Sequence, residues 1–212
     1  MPAPRIKICG ITTPATLDAA IAGRADYVGL IFVPPSPRYL KPSAAAELAA
    51  RAAGRIGKVG LFVDASDAAI AEAVAAARLD ALQLHGSETP QRAAELRSRY
   101  ALPVWKVISV ASAADIARAD AYAGAADLIL FDAKTPKGSL PGGMGLVFDW
   151  SLLGAYRGAL LWGLAGGLTT DNVAEAVALT GAPLVDTSSG VESAPGVKDV
   201  DKIAAFCKAA RL

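Results

Sequence analysis

Ile6-Lys7-Ile8-Cys9-Gly10-Ile11-Thr12-Thr13 is the stretch on which the reading of this chain turns. A short β-branched run ends on a cysteine, passes through a glycine and gives way to a helix start at Thr13-Pro14. Proline is favoured just inside a helix because its missing N–H would have had no partner there. The unit therefore reads strand, then helix, with a thiol at the C-terminal tip of the strand. That is the end at which strand–helix folds gather their reactive groups. A cysteine beside apolar residues is by default inert core, so a role for Cys9 depends on what the rest of the chain brings to it.

Outward from this unit the same alternation repeats. Helix 14–23 is followed by strand 27–32 and by the loop 33–42, whose four prolines continue neither kind of element. Ser43 is the expected cap of a helix reaching about Ala53. Strands follow at 58–63, 81–85, 104–109, 128–132, 159–164 and 184–187. The helical stretches between them run from Ser66 or Asp67 to Arg78, then 90–100, 112–122, a short one at 150–156, 171–180 and a last one at 199–210. Loop 133–148 carries Gly138, Pro141, Gly142, Gly143 and Gly145, and reads either as a lid or as a long connection. Eight strand–helix units fill residues 1–212 with no linker or low-complexity tract, which predicts an α/β fold with a helix-covered parallel sheet. Closure into a single-domain (β/α)₈ TIM barrel is the expectation, near the small end of that size range. The alternative, an open doubly wound sheet, is disfavoured because neither GxGxxG nor GxxxxGK[ST] occurs.

Composition removes several function classes. The 212 residues are 53% hydrophobic and 19% charged, with 21 basic against 20 acidic residues and a formal charge of +1. Neither nucleic acid nor an anionic membrane is an expected partner of so balanced a chain. Two cysteines, Cys9 and Cys207, lie far apart with no CxxC pair, which suits free thiols in a reducing compartment. The N-terminus has no signal-type apolar region, and the apolar run 159–168 is too short to span a bilayer. A cytoplasmic location follows. One histidine argues against a His-rich zinc or iron centre, and no carboxylate cluster suggests a dedicated magnesium cage.

Both faces of a parallel barrel strand are buried, so polar residues within strands carry information. Alternation puts Lys7 and Cys9 on one face. On the premise that helix-covered faces exclude charge, Lys7, Cys9, Gln83, His85, Lys106, Asp132 and Asp186 are expected to point inward. Cys9, His85, Asp132 and Asp186 then meet at the C-terminal rim. Leu164-Ala165-Gly166-Gly167-Leu168 and Thr187-Ser188-Ser189-Gly190-Val191 follow the last two strands, where barrels of this kind hold phosphate on backbone N–H groups. A thiol base opposite a carboxylic acid, beside a phosphate cradle, suits proton transfer on a phosphosugar. Lys7 would favour the thiolate. Arg38 is either a fork for a substrate carboxylate or a solvated loop arginine.

Six motifs in order then carry a resemblance. They are Lys7-Ile8-Cys9-Gly10-Ile11-Thr12, Gln83-Leu84-His85-Gly86, Phe131-Asp132, Gly142-Gly143-Met144-Gly145 with Phe148-Asp149-Trp150, Leu164–Leu168 and Asp186-Thr187-Ser188-Ser189-Gly190-Val191-Glu192. Across essentially the whole chain they resemble the phosphoribosylanthranilate isomerase family of tryptophan biosynthesis. The resemblance implies an Amadori rearrangement of N-(5-phosphoribosyl)anthranilate to 1-(2-carboxyphenylamino)-1-deoxyribulose 5-phosphate, without cofactor or metal. Asp132 resembles the general acid and Cys9 the general base. Arg38 resembles the residue meeting the anthranilate carboxylate and Asp186 the one holding ribose hydroxyls, with His85 beside them in the substrate-binding set. Gly166, Gly167, Ser188, Ser189 and Gly190 resemble the phosphate binders. Met144 stands where a threonine is common, and Thr187 where a valine is. A histidine-pathway isomerase of a similar aminoaldose would use an aspartate pair instead, and a non-catalytic phosphate-binding barrel would leave Cys9 and Asp132 dispensable. A monomer and a homodimer both remain open.

Overall fold

The computed structural model describes residues 3–134 and 145–212. Eight parallel strands close into a barrel in sequence order: β1 (Arg5–Cys9), β2 (Tyr27–Ile31), β3 (Gly57–Phe62), β4 (Ala81–Leu84), β5 (Val104–Val110), β6 (Leu128–Ala133), β7 (Leu161–Leu164) and β8 (Leu184–Thr187). The barrel shuts where β8 pairs β1, with Lys7 opposite Asp186. Outside lie α1 (Pro14–Ala22), α2 (Pro42–Ala52), α3 (Asp67–Ala77), α4 (Pro90–Tyr100), α5 (Ala113–Ala117), α6 (Val173–Thr180) and α7 (Val200–Ala209). Among the described residues, no helix is long and apolar enough to cross a membrane.

Two apolar layers follow from strand alternation. Val59, Ala81, Trp105, Val107, Leu128, Leu130 and Leu184 fill the inside. Ile6, Ile8, Val28, Leu30, Phe62, Leu82, Leu84, Ile108, Ile129, Phe131 and Val185 face outward into the helix layer. Alanines complete that layer, with Ala20, Ala45, Ala73, Ala77, Ala93 and Ala176 fully buried. Alanine has the highest helix propensity and lets a helix lie close to the sheet. The starts of α1, α3 and α4 are capped by the Thr13, Ser66 and Thr89 hydroxyls, each accepting from the amide three residues on.

Several boundaries differ from the sequence expectation. The second helix starts at Pro42, one residue before Ser43, and is capped by Lys41 without a side-chain hydrogen bond. Proline lacks the N–H that a cap would satisfy, so it takes the first helical position itself. The fifth helix tightens after Ala117 into a 3₁₀ turn, Arg118–Tyr122, and the stretch 150–155 is 3₁₀ throughout. Beyond β8, a hairpin absent from the sequence reading joins β9 (Glu192–Ala194) to β10 (Val197–Lys198). The glycines and proline at 138–143, together with Met144, lie outside the described residues.

Lys106 corrects the inward assignment. Trp105 and Val107 occupy the inner face of β5, so Lys106 between them must point outward. There its Nζ donates to Glu88 Oε2 at 2.9 Å, to the Gly86 carbonyl at 2.7 Å and to the Leu84 carbonyl at 3.3 Å. The premise that helix-covered faces exclude charge fails because the chain brings a carboxylate to meet it. Glu88 also accepts from the Asp64 and Gly86 amides at 2.8 and 2.9 Å, stapling the loops after β3 and β4. Both side chains are about 5% exposed or less. Breaking such a buried pair from one side costs about 3–5 kcal/mol. Glu88→Ala should lose that much in urea unfolding, and Glu88→Ala/Lys106→Met should recover part of it; a loss under about 1 kcal/mol would place the pair among exposed ones.

Candidate active site

The C-terminal ends of the strands surround a cavity of about 290 Å³, and every residue singled out in the sequence for catalysis or binding lines it: Cys9, Arg38, His85, Asp132, Gly166, Gly167, Asp186, Ser188, Ser189 and Gly190. Cys9 and Gly190, 181 positions apart in the chain, thus share one chamber. The walls between them are apolar, supplied by Ile31, Val33, Leu61, Val63, Val107 and Leu130.

Cys9 ends β1 on its inner face, against the apolar side chains of Ile31 and Leu61. Gly29 opposes it on β2. A Cβ at Gly29 would lie 2.6 Å from Cys9 Sγ, so only glycine leaves room for the thiol at this register. One pleat deeper, the fully buried Lys7 donates to Asp186 Oδ2 at 2.9 Å. Burial pulls the lysine down, but the Asp186 and Cys9 charges outweigh it and hold Lys7 above its ordinary value, so it stays an ammonium. Burial pushes the Cys9 thiol above its ordinary value, with Lys7 opposing, Asp186 adding and Lys198 opposing. Asp186 Oδ1 is a buried acceptor with no hydrogen-bond partner among the described residues. Asp186 lines the cavity, and a buried acceptor of this kind is suited to a hydroxyl donor.

Asp132 stands near the end of β6. Its Oδ1 accepts from the Ala133 amide at 2.8 Å, and its Oδ2 lies 3.2 Å from His85 Nε2. Both line the cavity and are largely buried, Asp132 6% and His85 9% exposed. Asp132 also borders the glycine loop. Gly166 and Gly167 sit at φ +85° and +66°, and a Cβ on Gly166 would meet the Ala133 amide nitrogen at 2.4 Å. Left-handed backbone that close to a carboxylate-bearing strand admits glycine alone. Thr187 Oγ1 donates to the Leu168 carbonyl at 2.7 Å and ties this loop to Ser188–Gly190. Ser188 Oγ in turn donates to the Cys9 carbonyl at 3.0 Å.

Arg38 is not a solvated loop arginine. It is 7% exposed, lines the cavity, and presents Nε and Nη2 to Glu192 Oε1 and Oε2 at 2.7 and 2.8 Å. Glu192 and the Lys198 beside it are site residues to which the sequence reading gave no role. Glu192 closes the sixth motif, but nothing local pairs it with Arg38, because the hairpin that brings Glu192 and Lys198 there has no counterpart in the strand–helix alternation.

A thiol and a carboxylate line one chamber at the C-terminal rim of a (β/α)₈ barrel, together with two left-handed glycines and a serine-bearing loop. Comparison with known proteins narrows the class. Residues 6–209 match the family model described as N-(5'-phosphoribosyl)anthranilate (PRA) isomerase. The N-(5'-phosphoribosyl)anthranilate isomerase of Paramagnetospirillum magneticum is 58% identical over 207 residues, covering 97% of this chain and 96% of that protein. The enzyme of the same name from Cereibacter sphaeroides is 53% identical, covering 98% of each. The crystal structure of the Thermotoga maritima phosphoribosyl anthranilate isomerase superposes with a TM-score of 0.88 at 36% identity, covering 98% of both chains. The chain belongs to the N-(5'-phosphoribosyl)anthranilate isomerase family, and its fold is the barrel of that family.

The electrostatics of Cys9 are open to direct titration. In a Cys207→Ala background, which removes the second thiol pushed up to about 11 by burial, the pH dependence of alkylation should place Cys9 above the ordinary thiol range. Lys7→Met should move it higher still, since the ammonium is what restrains the rise. A Cys9 midpoint lowered by that change would contradict the arrangement.

Proposed function

We propose that this chain catalyses the cofactor-free Amadori rearrangement of N-(5-phosphoribosyl)anthranilate to 1-(2-carboxyphenylamino)-1-deoxyribulose 5-phosphate in tryptophan biosynthesis, with residues 1–212 acting as one catalytic domain. The observation that carries this reading is that Cys9 and Asp132 face the same cavity, on β1 and β6, beside the glycine and serine loops. A structure of a family enzyme 34% identical to this chain, solved with reduced 1-(o-carboxyphenylamino)-1-deoxyribulose 5-phosphate bound, supports the substrate class.

The substrate's phosphate lies on the backbone amides of Gly166, Gly167 and Ser188–Gly190, where the left-handed glycine pair and the start of a 3₁₀ turn offer N–H groups to an anion. Its anthranilate carboxylate turns toward Arg38, and its ribose hydroxyls toward the unpartnered Asp186 Oδ1 and toward His85. Held in this way, the furanose ring oxygen meets Asp132, which protonates it; the ring opens to a Schiff base. The Cys9 thiolate then takes the C2 proton, which leaves an enolamine that tautomerises to the ketone. Binding both anionic ends fixes the reacting carbon between base and acid, so proton transfer needs little further rearrangement.

The reacting pair needs a proton on Asp132 and none on Cys9, so the two together hold a single proton. As pH rises through the Cys9 pKa, that proton is lost and no acid remains; kcat/KM falls. Because burial raises the thiol, this alkaline limb lies above the ordinary thiol range, and Lys7→Met displaces it further upward. A kcat/KM that climbs through the Cys9 titration would show a base working without its acid.

Cys9→Ala and Asp132→Asn should each lower kcat by about 10²–10⁴-fold while leaving affinity for inorganic phosphate nearly unchanged, as expected of general acid–base groups. The assay generates phosphoribosylanthranilate in situ and follows loss of its fluorescence on adding enzyme. No acceleration over the spontaneous background in the wild-type chain would overturn the assignment, and full activity in Cys9→Ser would remove Cys9 as the base.

A further inference from the structure

Arg38 is held by a carboxylate that belongs to a different loop, and that carboxylate does more than neutralise it. Glu192 opens β9 and Lys198 closes β10; the two are cross-strand partners in the hairpin register. Glu192 receives the Arg38 guanidinium edge-on through two bonds of 2.7 and 2.8 Å. The same carboxylate accepts from Lys198 Nζ at 2.5 Å and from the Gly196 amide at 3.2 Å. Lys198 Nζ continues to the Ser188 carbonyl at 3.0 Å and the Ser188 hydroxyl at 3.2 Å. The side chains of Glu192 and Lys198 are 5% and 0% exposed.

The arrangement costs free energy that stability alone does not repay. Three ionised groups are removed from water, and a buried ion network is often no more stable than apolar packing of the same volume. What it provides is geometry. A bidentate guanidinium–carboxylate pair fixes both the plane and the direction of the arginine. The Arg38 side chain lies across Gly10, where a Cβ would come within 2.8 Å of Arg38 Cδ, so its Cδ is packed directly over the residue after Cys9. At the other end, Ser188 is one of the cradle residues and is anchored on the Cys9 carbonyl. Among the described residues the cluster sets the Arg38 and Lys198 cations about the Glu192 carboxylate, between two regions that each receive a substrate anion.

We propose that Glu192 is the positioning residue of the anion-binding machinery: it aims Arg38 at the substrate carboxylate and, through Lys198, sets Ser188 in the phosphate cradle, so that one buried carboxylate couples recognition of both ends of the substrate. This rests on the reading of Arg38 and of the cradle given under Proposed function. Glu192 touches no reacting atom. Its effect falls on ground-state binding, and hence on KM more than on kcat.

Glu192→Gln preserves size but turns an amide N–H₂ toward donors. Its KM for phosphoribosylanthranilate should rise by roughly 10–100-fold, the scale on which loss of an orienting partner is felt, with kcat changed far less. The inhibition constant of inorganic phosphate should rise as well. Arg38→Met should raise KM but leave phosphate inhibition unchanged, and Arg38→Met/Glu192→Gln should raise KM by less than the product of the two single effects, because the part of the Glu192 effect that runs through Arg38 is already lost. A Glu192→Gln enzyme with a lowered melting temperature but unchanged KM and phosphate inhibition would overturn the proposal, as would an additive double variant. If Arg38→Met leaves KM unchanged, the carboxylate role of Arg38 fails and the proposal fails with it, a result separable from failure at Glu192. Should Glu192→Gln not fold, Lys198→Met reads the phosphate arm through the same Ser188 contact: weakened phosphate inhibition supports the coupling and unchanged inhibition ends it.

Discussion

The closure of the barrel depends on a charged pair placed where charge is least tolerated. Lys7 and Asp186 are register partners on β1 and β8, the two strands that meet to shut the sheet, and their side chains join at 2.9 Å with Lys7 fully buried. An ammonium left alone there would cost several kcal/mol of desolvation. Only the register that sets it against Asp186 avoids that cost. A slip of one residue would turn every side chain of β1 to the opposite face and would leave lysine and aspartate unmatched. The pair is thus a register lock, and it acts on the seam that no covalent neighbour enforces.

From that lock the site follows by the pleat. Cys9 is two residues beyond Lys7, so the same face that buries the ammonium carries the thiol to the rim. Gly29 supplies the space for the sulfur, and Ile31 and Leu61 exclude water from around it. The buried thiol rises in pKa and the ammonium limits the rise. Structural and chemical functions therefore share one residue: Lys7 sets the seam and tempers the sulfur. Across the cavity Asp132 is held by its own neighbouring amide and stands within 3.2 Å of His85, a fixed carboxyl opposite a fixed thiol.

Much of this was legible because a parallel barrel makes sequence position and spatial position nearly equivalent. A residue at a strand end arrives at the rim whatever the loops do, so Cys9, His85, Asp132 and Asp186 were readable from local runs of apolar residues. Glycine pairs after the last two strands were readable for the same reason. Lys106 was misread since facing cannot be inferred from polarity alone. A charge is excluded from the helix layer unless a partner is supplied, and Glu88, on the loop after β4, supplies one. Lys41 replaces Ser43 as the cap of its helix because Pro42 takes the first helical position, through backbone chemistry that the bare pattern of caps underweights.

The alternation of β-branched runs with alanine-rich helices determined the architecture by itself, because each strand must bury two faces and only a helix layer outside and a packed interior accomplish that. Alternation also determined which strand ends carry Cys9, His85, Asp132 and Asp186. Tertiary structure alone decided how Arg38 is held. Arg38 and Glu192 are 154 positions apart, their pairing crosses two loops, and the hairpin that delivers Glu192 and Lys198 breaks the repeating pattern. No local preference encodes a contact of that kind; it exists because closing the barrel brings the loop after β2 and the hairpin after β8 over the same strand end.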